Sequence, residues 1–133
     1  ITATVPNDDT TPLIGEGTEI VAVVITPLST ANVFDVAFCG EGALSASGWW
    51  IASAHLNSTA SFASGRGFIG TANSSTRMAV AAMKRPAAGT EQTISVRGGP
   101  ISGSYNLQIN GQSASRALGG AMGFVLDVNE VQT

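Results

Sequence analysis

Charged side chains are scarce in this sequence, and cations are the scarcest. Only 11% of the 133 residues are charged, whereas an average globular domain has about 25%. Six Lys and Arg are set against nine Asp and Glu, which gives a formal net charge of −3, and Lys84-Arg85 is the one adjacent pair of cations. Proteins that bind the nucleic-acid backbone need clustered cations to neutralise its phosphates. We therefore predict that nucleic acid is not a partner.

Cysteine and histidine are rarer still, with Cys39 and His55 as single copies. A lone cysteine excludes a disulfide within the chain, and one Cys with one His does not complete a zinc site of the usual type. We therefore predict no metal and no cofactor. No window reaches about 18 uninterrupted apolar residues, which predicts that the chain does not insert into a membrane.

Hydrophobic residues make up 44% of the chain and occur in short runs, which clusters of Gly, Pro, Asn and Ser separate at intervals of roughly 8 to 14 residues. This spacing is typical of an all-β protein, and the length fits a single domain over residues 1–133. We predict an antiparallel two-sheet sandwich of the jelly-roll class. The predicted strands are residues 18–26, 33–38, 48–56, 60–63, 67–70, 77–84, 93–97, 104–109, 114–118 and 122–131.

Turn residues between these runs support the assignment. Asn110-Gly111 is the strongest hairpin signal, because this dipeptide favours the tight turns that join antiparallel strands. We also predict turns at Gly40-Glu41-Gly42 and Gly98-Gly99-Pro100. A short helix competes at residues 79–83, but the neighbouring strands and the stop at Pro86 favour a strand there.

Motifs that could indicate chemistry lack their usual context. Gly65-Arg66-Gly67-Phe68-Ile69-Gly70 matches G-x-G-x-x-G, but a loop-like segment follows where a helix is needed, so we interpret it as a turn. His55 is the one possible base of a Ser/His/Asp triad, and the sequence contains no nucleophile elbow. Asp8-Asp9 is interpreted as a turn, with a calcium role as the alternative. We predict that the protein is not an enzyme.

Trp49-Trp50 is the most informative aromatic pair, because successive side chains of a strand point to opposite faces. One ring is expected in the core and the other at the surface or in an interface. An exposed Trp beside Ser, His and Asn suits a sugar, whose apolar face stacks on the ring while polar groups bind its hydroxyls. Packing between subunits is the alternative. We predict ligand-binding residues at His55, Asn57, Arg66 and Asn73.

Several short segments follow one another along nearly the whole chain in a recognisable order. They are Val5-Pro6-Asn7-Asp8-Asp9-Thr10-Thr11-Pro12, Gly15-Glu16-Gly17-Thr18-Glu19-Ile20, Ile25-Thr26-Pro27-Leu28-Ser29-Thr30-Ala31-Asn32, Trp50-Ile51-Ala52, Asn57-Ser58-Thr59-Ala60, Pro86-Ala87-Ala88-Gly89-Thr90, Ile94-Ser95-Val96-Arg97, Leu107-Gln108-Ile109-Asn110-Gly111, Arg116-Ala117-Leu118-Gly119-Gly120 and Val128-Asn129-Glu130-Val131. Their order and spacing resemble the C-terminal jelly-roll domains of bacteriophage fibre proteins. The loops share no pattern with that family, so the ligand-binding candidates do not come from the resemblance.

The resemblance implies a tumour-necrosis-factor-like jelly roll that assembles as a homotrimer at the distal end of a tail or head fibre. The domain would be the head of a longer protein on the virion surface, joined to other virion proteins by an upstream stalk, and the start without Met agrees with this expectation. The function expected from it is attachment of a phage to a bacterial surface glycan, most simply a polysaccharide. Two alternatives stay open: a capsid decoration module without a receptor, and a cellular lectin of the same fold.

Overall fold

The computed structural model describes residues 1–109, 111–112, 115–116 and 124–133, and every regular element among them is a β-strand. The strands are β1 (Thr18–Ile25), β2 (Val33–Leu44), β3 (Gly48–Leu56), β4 (Ala63–Ile69), β5 (Ser75–Lys84), β6 (Gln92–Pro100), β7 (Leu107–Ile109), β8 (Gly111–Gln112), β9 (Ser115–Arg116) and β10 (Val125–Val131).

The strands form two main antiparallel sheets that pack face to face. The first sheet has the order β1-β6-β3-β4, and the second has the order β10-β2-β5, with β7 paired to the end of β2. Up to β6 the chain alternates between the sheets, except at the β3–β4 hairpin. This alternation is the jelly-roll pattern, so the predicted all-β two-sheet sandwich is confirmed.

The core lies between the sheets and follows the two-residue period of the strands. In β2, Phe34, Val36 and Phe38 are buried, whereas Asp35 and Ala37 between them are exposed. From the first sheet, the fully buried Trp50 packs into the same cluster as Phe38. A core aromatic of this kind stabilises a domain by about 3–5 kcal/mol relative to Ala.

Three glycine-containing segments that the sequence predicts as turns lie in strands, and one of them is Gly65-Arg66-Gly67-Phe68-Ile69 in β4. Gly40-Glu41-Gly42 belongs to β2, and Gly98-Gly99-Pro100 ends β6. A Cβ atom on Gly40 would collide with the Phe124 ring, and one on Gly42 would lie 2.8 Å from Cε2 of Trp50. Glycine is needed at these positions because large rings lie against the backbone, so the turn interpretation was wrong.

Other boundaries also differ from the prediction. Of the two strands predicted at residues 60–63 and 67–70, residues 63 and 67–69 lie in the single strand β4, whereas residues 60–62 and 70 lie outside it. The predicted hairpin turn at Asn110-Gly111 lies partly outside the described residues; the described strands before and after it pair as β7 with β2 and β8 with β9. Residues 79–83 are strand, as predicted. Asn110, residues 113–114 and residues 117–123 lie outside the described part of the chain, as do parts of the two last predicted strands.

Residues 3–17 cross the outer face of the first sheet, and we call them the N-terminal cover. The Val5 N–H donates to the Pro100 carbonyl at 3.1 Å, and the Pro12 carbonyl accepts from the Ser61 N–H at 2.9 Å. The cover turns back on itself where Gly17 donates to the Thr4 carbonyl at 2.9 Å. Gly17 has a φ of 66° and lies against the Gly98 carbonyl, a conformation and a close approach that favour glycine.

Gly67 tests how tightly Trp50 is packed. A Cβ atom on Gly67 would lie 2.6 Å from Nε1 of this fully buried ring, so we expect Gly67→Ala to lower the free energy of unfolding by about 1–3 kcal/mol. Gly103→Ala is the control, because a Cβ there would meet nothing within 4 Å. Denaturant unfolding of both variants makes the comparison, and equal midpoints would contradict this account of the core.

Candidate ligand-binding site

The two tryptophans of β3 lie on opposite sides of the first sheet. Trp50 is 0% exposed and belongs to the core, while Trp49 is half-buried on the outer face. The predicted division of the pair into one core ring and one surface ring is therefore confirmed. The outer face around Trp49 is where side chains of β3 and β4 meet the solvent.

Trp49, Arg66 and Phe68 form a group that we call the aromatic cluster. The β3–β4 register places Trp49 opposite Phe68, and their ring centroids lie 5.0 Å apart at an interplanar angle of 52°. The guanidinium carbon of Arg66 lies 4.6 Å from the Trp49 ring centroid, within the range of a cation–π contact. Phe68 remains 50% exposed. Exposed aromatic side chains of this kind commonly mark a binding surface.

A groove of about 320 Å³ lies beside the aromatic cluster, between the N-terminal cover and β4. Pro6, Asn7 and Asp8 line it on the side of the cover, and Ser64 and Arg66 line it on the side of β4. Ile51 of β3 also lines the groove and is only 6% exposed. The groove therefore combines an apolar surface with a carboxylate, an amide, a hydroxyl and a guanidinium.

Hydrogen bonds fix the polar groups of the groove. Nη1 of Arg66 donates to Oδ1 of Asn7 at 3.1 Å, which ties β4 to the cover. Thr10 donates to Oδ1 of Asp8 twice, from its hydroxyl at 2.5 Å and from its backbone N–H at 2.8 Å. Both bonds lower the pKa of Asp8 below its ordinary value, and the bond from the hydroxyl has the larger effect. Asp8 is therefore a charged acceptor at neutral pH.

His55 does not lie at this surface, contrary to the prediction. Its side chain is 0% exposed, with Nδ1 3.0 Å from the Thr59 carbonyl and Nε2 2.9 Å from Oγ of Ser53. A carbonyl only accepts, so Nδ1 carries the proton and Nε2 accepts from the Ser53 hydroxyl. The prediction assumed that the outer face of β3 is open to solvent. At His55 this face is closed, and the N-terminal cover crosses the same sheet.

The Ser53–His55 pair resembles a nucleophile and its base, but both groups are enclosed. Ser53 is 1% exposed, so a substrate outside the folded domain does not reach its hydroxyl. Each polar atom of the pair has a partner, as buried polar groups require. We therefore interpret the pair as structural.

Asn57 and Asn73 are turn residues at opposite ends of the first sheet. Both have positive φ, 53° and 64°, a conformation that Asn tolerates well. Oδ1 of Asn57 accepts from the Thr93 N–H at 3.0 Å, and the Asn73 N–H donates to the Leu44 carbonyl at 2.7 Å. Asn57 follows β3 and Asn73 follows β4, and because these strands are antiparallel the two residues lie at opposite strand ends. The nine residues of β3 span about 30 Å. The predicted set is therefore not one site, and of its members only Arg66 lines the groove.

Asn7 and Asp8 line the candidate groove but were not among the predicted residues, because Asp8-Asp9 has the sequence of an ordinary turn. The signal that points to them is indirect. Gly98 and Gly99 have no side chains on the strand that the cover crosses, and a Cβ on Gly99 would collide with the Ala3 carbonyl. A glycine pair inside a strand marks a place where another backbone comes close.

Neither the protein-family models nor the curated proteins contain a match to this chain. Among the described residues no group of three or more His, Cys, Asp or Glu side chains is arranged to hold a metal ion. The same part of the chain contains no helix that is long and apolar enough to cross a membrane.

The enclosure of His55 predicts a pH-dependent stability. Burial lowers the pKa of His55 below its ordinary value of 6.5, and nearby Arg97 acts in the same direction, while the Thr59 carbonyl and Glu16 oppose it. Between the folded and unfolded pKa values the unfolded chain binds a proton that the folded chain does not, so stability falls as pH decreases. We expect the free energy of unfolding to decrease from pH 7 to pH 5.

The variant His55→Gln separates this effect from other titrations. It should be less stable than the parent at pH 7, because it disrupts the bonds to Ser53 and Thr59, but its stability should change less between pH 7 and pH 5. Asp8 and Glu130 also have lowered pKa values, but their ordinary values lie near about 4, so their effect comes at lower pH. Equal pH slopes for parent and variant in denaturant titrations would contradict the assignment.

Proposed function

We propose that this chain is the non-catalytic head domain of a bacteriophage fibre, which attaches the particle to a polysaccharide on a bacterial surface. The observation that carries the proposal is the aromatic cluster beside the groove. Trp49 and Phe68 offer apolar ring surface, and Arg66 and Asp8 offer a charged donor and a charged acceptor at the same place. Sugars combine apolar C–H faces with hydroxyl groups, and such a mixed surface suits both.

The non-catalytic part of the proposal rests on the enclosure of the Ser53–His55 pair. Attachment needs accessible side chains, whereas Ser53 is 1% exposed and His55 is 0% exposed. The accessible aromatic and polar groups lie in and beside the groove instead. Accessible groups in the groove, together with an enclosed Ser53–His55 pair, support binding without catalysis.

Assembly into a homotrimer is part of the same proposal, because several weak sugar sites on one particle give useful avidity. The outer face of the second sheet supports it. Its centre is mostly apolar, with the exposed Asp127 as its one charged side chain among the described lining residues, and Val125 and the nearby Met83 are 54% and 63% exposed. The apolar or small side chains at this centre are those of Ala37, Cys39, Ala79, Ala81 and Val125. A solvated sheet face normally carries polar side chains, so an apolar outer face favours burial against another subunit.

The adsorption test compares two double variants of the domain. Arg66→Ala with Phe68→Ala should lower binding to bacterial polysaccharides on a glycan array about tenfold or more, as expected when anchor residues of an interface are truncated. Leu28→Ala with Arg85→Ala is the matched control, since Leu28 is 91% exposed and Arg85 bonds to Ala31 in the same β1–β2 loop, away from the groove. A parent domain that binds neither the array nor bacterial cells would overturn the proposed function.

The assembly test uses light scattering at micromolar concentration. The parent domain should have the mass of three chains, and Ala81→Glu should reduce this mass, because it places a charge on the apolar face of the second sheet. Ala22→Glu is the control, an exposed alanine on β1 of the other sheet, and should leave the mass unchanged. A stable monomer of the parent would contradict the trimer.

A further inference from the structure

We propose that the groove between the N-terminal cover and β4 binds one uncharged sugar ring of the polysaccharide, with Asp8 accepting hydrogen bonds and Arg66 donating them. This inference rests on the proposed function and narrows it to a class of ligand. It also assigns a role to Asp8, which the sequence analysis treats as a turn residue. Three properties of the groove support this assignment: its unused hydrogen-bonding capacity, its rigidity and its charge.

The charged groups of the groove have unused hydrogen-bonding capacity. Both bonds from Thr10 go to Oδ1 of Asp8, and no other described residue donates to its Oδ2; the N–H of Asp8 itself also acts on this carboxylate. Arg66 has five N–H donors, and within the same part of the chain its one hydrogen bond goes to Asn7. The groove thus presents a charged acceptor and a charged donor, and a pair of sugar hydroxyls can satisfy both because each hydroxyl donates and accepts.

The charged side chains of the groove are also held in place. Arg66 is held by the Trp49 ring and by Asn7, and Asp8 is held by Thr10. An exposed Arg or Asp without such contacts would lose rotamer freedom on binding, which weakens affinity. Ile51 adds apolar surface among these fixed polar groups and suits the C–H face of a ring. The site is therefore largely formed before the ligand arrives.

Charge decides between the two broad classes of saccharide. A uronic or sialic acid residue could pair its carboxylate with Arg66, but it would bring that carboxylate next to the ionised Asp8. The groove has about 320 Å³, so the two carboxylates would share a small space. Like charges at such separations repel, and Asp8 is held in its charged form by Thr10. A neutral ring avoids this repulsion and still uses both charged groups.

The test measures affinity by calorimetry for two probes, a neutral oligosaccharide and a uronic-acid oligosaccharide, both taken from bacterial polysaccharides bound on the array. The parent should bind the neutral probe more tightly. Asp8→Asn should weaken binding of the neutral probe about tenfold, because a charged acceptor is lost, and should reduce the discrimination against the acidic probe. Asp9→Asn is the matched control: its carboxylate is adjacent in sequence but does not line the groove, and both affinities should stay unchanged.

The outcomes distinguish this inference from the proposed function. If the parent prefers the acidic probe, or if Asp8→Asn and Asp9→Asn behave alike, the neutral-sugar groove is wrong, while loss of binding in the Arg66/Phe68 variant would still support attachment through the aromatic cluster. If the parent binds no saccharide and no cells, the proposed function fails. Both Asp residues are exposed, and equal melting temperatures of the three proteins show that the folded state is unchanged.

Discussion

The close contact between the N-terminal cover and the first sheet is the constraint on which the site depends. Arg97 of β6 donates to the Glu16 and Gly17 carbonyls at 3.1 and 2.9 Å, and Val5 bonds to Pro100 at the end of the same strand. These bonds hold residues 3–17 on a sheet face that a sandwich normally leaves in water. One wall of the groove exists because of them.

This contact requires a backbone without side chains at the crossing point. A Cβ on Gly99 would collide with the Ala3 carbonyl of the cover, whereas one on the neighbouring Gly98 would lie 2.7 Å from the Ile20 side chain of β1. Glycine weakens a strand because it gains no side-chain packing and loses more conformational freedom on folding. Here the cost is offset by the backbone bonds and the burial that the cover brings, with Val5 at 0% exposure.

The fold class could be predicted from the sequence because the two-residue period and the turn spacing are local signals. The strand assignment of residues 79–83 and the opposite faces of Trp49 and Trp50 followed from the same signals. The errors arose where a distant segment decides the structure. Gly40, Gly98 and Gly99 have turn chemistry locally, but they lie in paired strands where Phe124, Ile20 and Ala3 leave no room for a side chain. Of the candidate site only Arg66 was predicted, because the position of Asp8 depends on how the N-terminal cover packs.

The most direct test of the account is a nuclear magnetic resonance titration of the isotope-labelled domain with an oligosaccharide fragment of a bacterial polysaccharide that it binds. The account predicts chemical-shift changes centred on Asn7, Asp8, Ile51 and Arg66, including the Trp49 indole N–H and excluding that of the enclosed Trp50. Shifts centred instead on Asn57, on Asn73 or on the outer face of the second sheet would contradict it.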